Sequence, residues 1–167
     1  MYKIYDFLFK FSLIFITTFA LTELLIFNIQ VLEKFAFSSI TLLIQEEVFK
    51  LLALCLSYYL FRNGYLLGYS YTLCFSIIEY INYIQLYKYS ICFNVPIEFY
   101  IGRGFCVIVH LVTFSIIYLS VVVSKKYKNF ILAINGFLLA ILVHLIWNLS
   151  LGRLLFKWLD LSNKICG

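Results

Sequence analysis

Glu46, Glu47 and Lys50 stand inside an otherwise apolar run, as Q-E-E-V-F-K between S-S-I-T-L-L-I and L-L-A-L-C-L-S-Y-Y-L-F. Two adjacent carboxylates and an ammonium in such a setting call for a chemical reason. Glu46 and Lys50 are four apart, share a helix face and can pair. Glu47 points about 100° further round. Three later apolar runs carry groups of the same kind: Glu79 with Asn82, then Arg103, His110 and Thr113, then His144 and Asn148 beside Trp147. Arg103 and His110 are close to two full turns apart and face the same way. Carboxylates, imidazoles, a carboxamide and an ammonium together suit a general base, an oxyanion stabiliser and a water site.

The elements that must hold these groups are membrane helices. Of the 167 residues, 64% are hydrophobic and only 13% charged, with a mean hydropathy of +0.99. Ordinary soluble domains run roughly 45–50% apolar and about 25% charged. Seven Gly and one Pro leave no room for a disordered linker. The net charge of +5 is gathered in short groups such as Lys125, Lys126 and Lys128. Such groups anchor membrane helices on the cytoplasmic side and are no sign of nucleic-acid binding.

A span needs about 20 apolar residues. Five segments meet that length: Phe7 to Val31, Phe35 to Phe61, Tyr65 to Tyr87, Ile101 to Val123, and Phe130 to Leu151. Arg62-Asn63-Gly64 reads as a turn, Lys88 to Tyr100 with Pro96 as a loop, and Ser124 to Asn129 as a basic turn. Gly152 to Gly167 is too charged to span and reads as a short interfacial helix or frayed tail. The expectation is an all-α, polytopic membrane helix bundle of about five transmembrane helices. It forms a single integral membrane domain over 1–167, with a motif-bearing core at about 40–150. The first run is long and lacks an A-x-A-like cleavage site, so it reads as a retained helix. By loop charges alone the N-terminus lies inside.

A charge at the centre of a membrane helix costs about 2.5–3.5 kcal/mol on insertion scales, so such residues turn towards the bundle interior. Four successive helices each carry a polar face, and those faces should converge. Glu23 stands alone on the first helix and reads as structural. The five Cys form no C-x-x-C and read as small buried hydrophobes. Cys106 and His110, four apart, leave a thiolate–imidazole pair open.

The motifs E-E-V-F-K (Glu46 to Lys50), F-S-I-I-E (Phe75 to Glu79), H-L-V-T (His110 to Thr113) and H-L-I-W-N (His144 to Asn148) occur in the order seen in the PrsW family of intramembrane proteases. The chain resembles that family over about residues 40 to 150. The family is related to the CAAX prenyl endopeptidases and bacteriocin-immunity proteins. The CAAX endopeptidases proper carry E-E-x-x-x-R and F-x-x-x-H, where this chain has Lys50 and Glu79. Tyr80 stands where the PrsW pattern has Asn.

The resemblance implies an enzyme of a prokaryotic cell membrane that hydrolyses a peptide bond of a membrane-embedded protein or peptide. Glu46 would activate water and Glu47 assist it. His144 and Asn148 would stabilise the oxyanion. His110 and Glu79 would complete the water or metal site, with Lys50, Arg103, Thr113 and Trp147 in support. No H-E-x-x-H is present, so the expectation is a centre without a cofactor; zinc on His110, His144 and Glu79 is the alternative. Two other functions fit the residues: a non-catalytic immunity or scaffold protein of the same fold, and a small transporter or proton relay.

Overall fold

The computed structural model describes residues 9–10, 12–22, 24, 39–61, 65–90 and 97–166. The described residues are helical apart from turns, with no strand among them. The apolar run at the start forms α1, Ser12–Thr22. It is followed by α2 (Ser39–Phe61), α3 (Leu66–Ser90), α4 (Ile97–Tyr127) and α5 (Phe130–Cys166). Glu23, the Arg62–Gly64 turn and Pro96 lie outside the described residues.

Two boundaries differ from expectation. Both ends of the mixed segment from Lys88 to Tyr100 are helical, because α3 continues through Ser90 and α4 begins at Ile97. The tail is not a separate short helix, because α5 runs unbroken to Cys166. A single Gly costs a helix only about 1 kcal/mol, and Gly152 is flanked by strong helix formers.

The polarity of the bundle is inverted relative to a water-soluble protein. Phe15, Ile101, Leu119, Leu138 and Ile146 are exposed, whereas Glu47, Lys50, His110, Thr113 and His144 are buried. A large apolar exterior over a polar interior is what a lipid solvent selects. Two stretches among the described residues are long and apolar enough to cross a membrane, Phe99–Tyr127 and Phe130–Ser150.

α2 touches α3, α4 and α5, and α4 packs on both α3 and α5, so α2 brings its charges to the seam of the bundle. Close approach is secured at two glycines. A Cβ on Gly136 would stand 2.1 Å from Ser120 Cβ, and one on Gly68 would stand 2.1 Å from the Phe114 ring. Leu54, Phe114, Ile117 and Ala140 fill the space between α2, α4 and α5. The Ser57 hydroxyl accepts from Leu67 N–H at 3.2 Å, satisfying one of the free amides at the start of α3.

The α4–α5 turn is tightly determined. Lys128 has φ 52°, in the left-handed region. Asn129 N–H donates to Ser124 O at 3.1 Å and Lys128 N–H to Lys125 O at 3.4 Å. These are the paired bonds of a left-handed helix C-cap. Asn129 Oδ1 then accepts from Ile131 N–H at 3.0 Å, capping α5.

Candidate active site

The expected convergence of α2 to α5 occurs, and it is organised around two imidazoles. His110 on α4 and His144 on α5 meet edge to face, with ring centroids 4.7 Å apart. Phe75, the aromatic of F-S-I-I-E, packs edge-on against His110 at 5.5 Å and walls one side.

Each histidine is held from behind by a carboxylate. Glu79 Oε2 lies 2.7 Å from His110 Nε2. Glu47 Oε1 lies 2.7 Å from His144 Nδ1. With the ring protons on the nitrogens that meet Glu79 and Glu47, the second nitrogen of each neutral imidazole is a lone pair. His110 Nδ1 is buried and has no hydrogen-bond partner among the described residues. His144 Nε2 faces Glu46 Oε2 at 3.7 Å, and that oxygen is likewise without a hydrogen-bond partner. One ligand atom from each of Glu46, His110 and His144 lies within 4.8 Å of the others.

Lys50 supports this arrangement from below, but not through the partner expected. Its ammonium donates to Glu47 Oε1 at 2.6 Å and to Thr113 Oγ1 at 2.7 Å, with Lys50 and Glu47 both fully buried. Pairs three and four apart are both helix neighbours, so spacing alone could not choose between Glu47 and Glu46. The Thr113 hydroxyl in turn donates a hydrogen bond to His110 O at 3.0 Å. The chain Thr113–Lys50–Glu47–His144 thus ties three helices together.

The remaining expected residues fall around this centre. Arg103 lies over the Tyr83 ring, 3.4 Å from its centroid, across the α3–α4 seam. Trp147 Nε1 donates to Cys106 Sγ at 3.3 Å. With Cys106 taken by Trp147 and His110 by Glu79, the structure forms no Cys106–His110 pair. Asn148 is exposed one turn beyond His144, and Asn82 is exposed on α3. Among the potential ligands, Glu79 sits behind His110 and Glu46 completes the trio with the two histidines.

Three potential ligand atoms gathered within 4.8 Å of one another suit a cation. His₂-carboxylate is an established zinc donor set, and carboxylates behind the ligating histidines are the usual support of such a site. A water has only two hydrogens and would leave one of the three acceptors unmet. The residues present therefore fit zinc.

The family model described as "PrsW family intramembrane metalloprotease" matches residues 4–161, and the chain belongs to that family of intramembrane proteases. No curated protein and no solved structure matches the chain.

Proposed function

We propose that this chain is a multi-pass intramembrane endopeptidase of a prokaryotic cell membrane, and that Glu46, His110 and His144 form its hydrolytic centre. The observation carrying this reading is the trio of lone-pair atoms within 4.8 Å. In this reading His110, His144 and Glu46 hold zinc. Bound there, zinc would acidify a water molecule and polarise the scissile carbonyl. Glu79 and Glu47 fix the tautomers and aim the two rings. Glu47 Oε2, buried and unpartnered among the described residues, is the proton acceptor for the water. Lys50 and Thr113 hold Glu47 in place, and Phe75 excludes bulk water.

All four long helices cross the bilayer in this reading. α2 has 23 residues and α3 has 25, or about 34 and 37 Å at 1.5 Å per residue, against a hydrocarbon core of about 30 Å. The basic turn at Lys125, Lys126 and Lys128 marks the cytoplasmic side. His144 lies about 21 Å along α5 from Phe130, and His110 about 25 Å along α4 from Tyr127. The centre therefore sits in the half of the bilayer away from the cytoplasm. Its substrate is a membrane-embedded protein or peptide cut near that face.

The test compares protein termini in membranes of the native host carrying wild type or Glu46→Gln. New termini near membrane segments, present only with wild type, are expected, and identical termini across well-covered membrane proteins would refute the reading. Metal analysis of the purified protein separates the chemistry. About one zinc per chain, lost in His144→Ala, is the outcome expected for a two-histidine site. Full activity after chelation would instead make Glu46 a metal-free base.

A further inference from the structure

Peptide hydrolysis is accelerated by a hydrogen-bond donor for the carbonyl oxygen as it becomes anionic, beside any help from a metal. The centre described above is poor in donors. Both imidazole N–H groups point at carboxylates, and the Lys50 ammonium is committed to Glu47 and Thr113. The lone pairs of Glu46, His110 and His144 would hold the metal and donate no hydrogen bond to the substrate.

Tyr71 on α3 supplies what is missing. Its side chain is fully buried, yet its hydroxyl has no partner among the described residues. Burying a hydroxyl without a partner is costly, so such a group calls for an explanation. The ring sits beside the centre. It stacks on Phe75 with centroids 6.3 Å apart and planes at 14°, and Phe75 in turn abuts His110. It packs with Phe49 and Ala53 on α2, and Phe49 lies one turn beyond Glu46.

We propose that Tyr71 is a catalytic residue of the peptidase, its hydroxyl donating to the scissile carbonyl oxygen as that oxygen becomes anionic. The inference rests on the peptidase reading above. The water oxygen bonds to the carbonyl carbon, its proton passes to Glu47 Oε2, and the carbonyl π pair moves onto oxygen. The Tyr71 O–H strengthens its hydrogen bond there and keeps its proton. As the tetrahedral carbon collapses, the carbonyl re-forms and the C–N bond breaks. The proton then moves from Glu47 to the departing nitrogen, leaving a carboxylic acid and an amine.

The experiment uses the full chain reconstituted in liposomes, with a synthetic peptide spanning the cut site that the terminus comparison identifies. Wild type, Glu46→Gln, Tyr71→Phe and a 3-fluorotyrosine substitution at position 71 are compared. Phenylalanine keeps the ring and its packing and removes only the donor. Tyr71→Phe is expected to lower kcat by about 10²–10³, the usual loss for one oxyanion donor, with KM held within about twofold. Its zinc content and thermal midpoint stay at the wild-type values. The fluorinated residue keeps the ring and hydroxyl but is a more acidic phenol, so the alkaline limb of the kcat–pH profile is expected to move to lower pH, and an unmoved profile overturns the role even if the Phe variant folds poorly. Wild-type kcat in Tyr71→Phe with Glu46→Gln inactive overturns the role of Tyr71 and leaves the peptidase standing. A change in KM alone also overturns it. An active Glu46→Gln removes the peptidase reading itself.

Discussion

Glu79 Oε2 and His110 Nε2 meet at 2.7 Å across the α3–α4 seam. The contact makes Glu79 a support for His110. A carboxamide at position 79 would keep an acceptor but lose the charge that biases the ring towards one tautomer. Glu79→Gln is therefore expected to fold normally and to weaken zinc binding by about 10–100-fold, the usual effect of losing such a support. Competition against a zinc chelator of known affinity measures this. Unchanged affinity would show that Glu79 does not act through the metal ligand.

Lys50 and Glu47 form a fully buried pair at 2.6 Å. Removing one partner leaves an uncompensated charge in a low-dielectric interior, at a cost of about 3–5 kcal/mol. Lys50→Met should therefore destabilise the protein strongly in denaturant titrations in detergent. Adding Glu47→Gln should recover a large part of that loss, because the second change removes the orphaned charge. A double variant no more stable than Lys50→Met would mean that the ammonium serves mainly Thr113.

These two contacts mark what could be read from the chain alone and what could not. Four motifs at helical spacing were enough to expect that charged groups on α2 to α5 turn inward, because charges in apolar runs have few other places to go. Which partner each would choose was not legible. Glu46 and Glu47 are adjacent, and a modest rotation of α2 decides which of them faces Lys50 and which joins the histidines. The expectation of a metal-free centre had the same root. No contiguous ligand motif exists because α2, α4 and α5 each deliver one donor, and their meeting is a property of packing. The family's description as metalloproteases and the trio are both compatible with zinc, the alternative held from the sequence. Tyr71 could not be singled out among 14 tyrosines, since burial without a partner has no signature in sequence. Asn148 was expected at the centre from its spacing to His144 but is exposed one turn away.

The close contact of α4 and α5 depends on Gly136. Its missing Cβ would collide with both Cβ and Oγ of Ser120, each at 2.1 Å. Gly136→Ala must push the helices apart and is expected to cost about 1–3 kcal/mol, the range for overpacking a core. It should also loosen His144 relative to His110, since these helices carry the two rings. Ser120→Gly in the same molecule removes the obstructing side chain and should restore most of the stability. Failure of that rescue in thermal melts would place the strain elsewhere on α5.

Lys128 holds a left-handed conformation at φ 52° in the α4–α5 cap. A side chain there costs about 1–2 kcal/mol that glycine does not incur. The cap bonds from Asn129 and Lys128 N–H groups are made by backbone alone, so they survive the substitution. Lys128→Gly is therefore expected to raise stability by about 1 kcal/mol, less any loss from glycine's freedom in the unfolded chain. Orientation in the membrane should not change, because Lys125 and Lys126 still mark the same turn. Thermal unfolding in one fixed detergent, with cysteine-accessibility mapping of topology alongside, measures both. A lower midpoint with unchanged topology would show that the Lys128 side chain makes a stabilising contact worth more than the conformational strain.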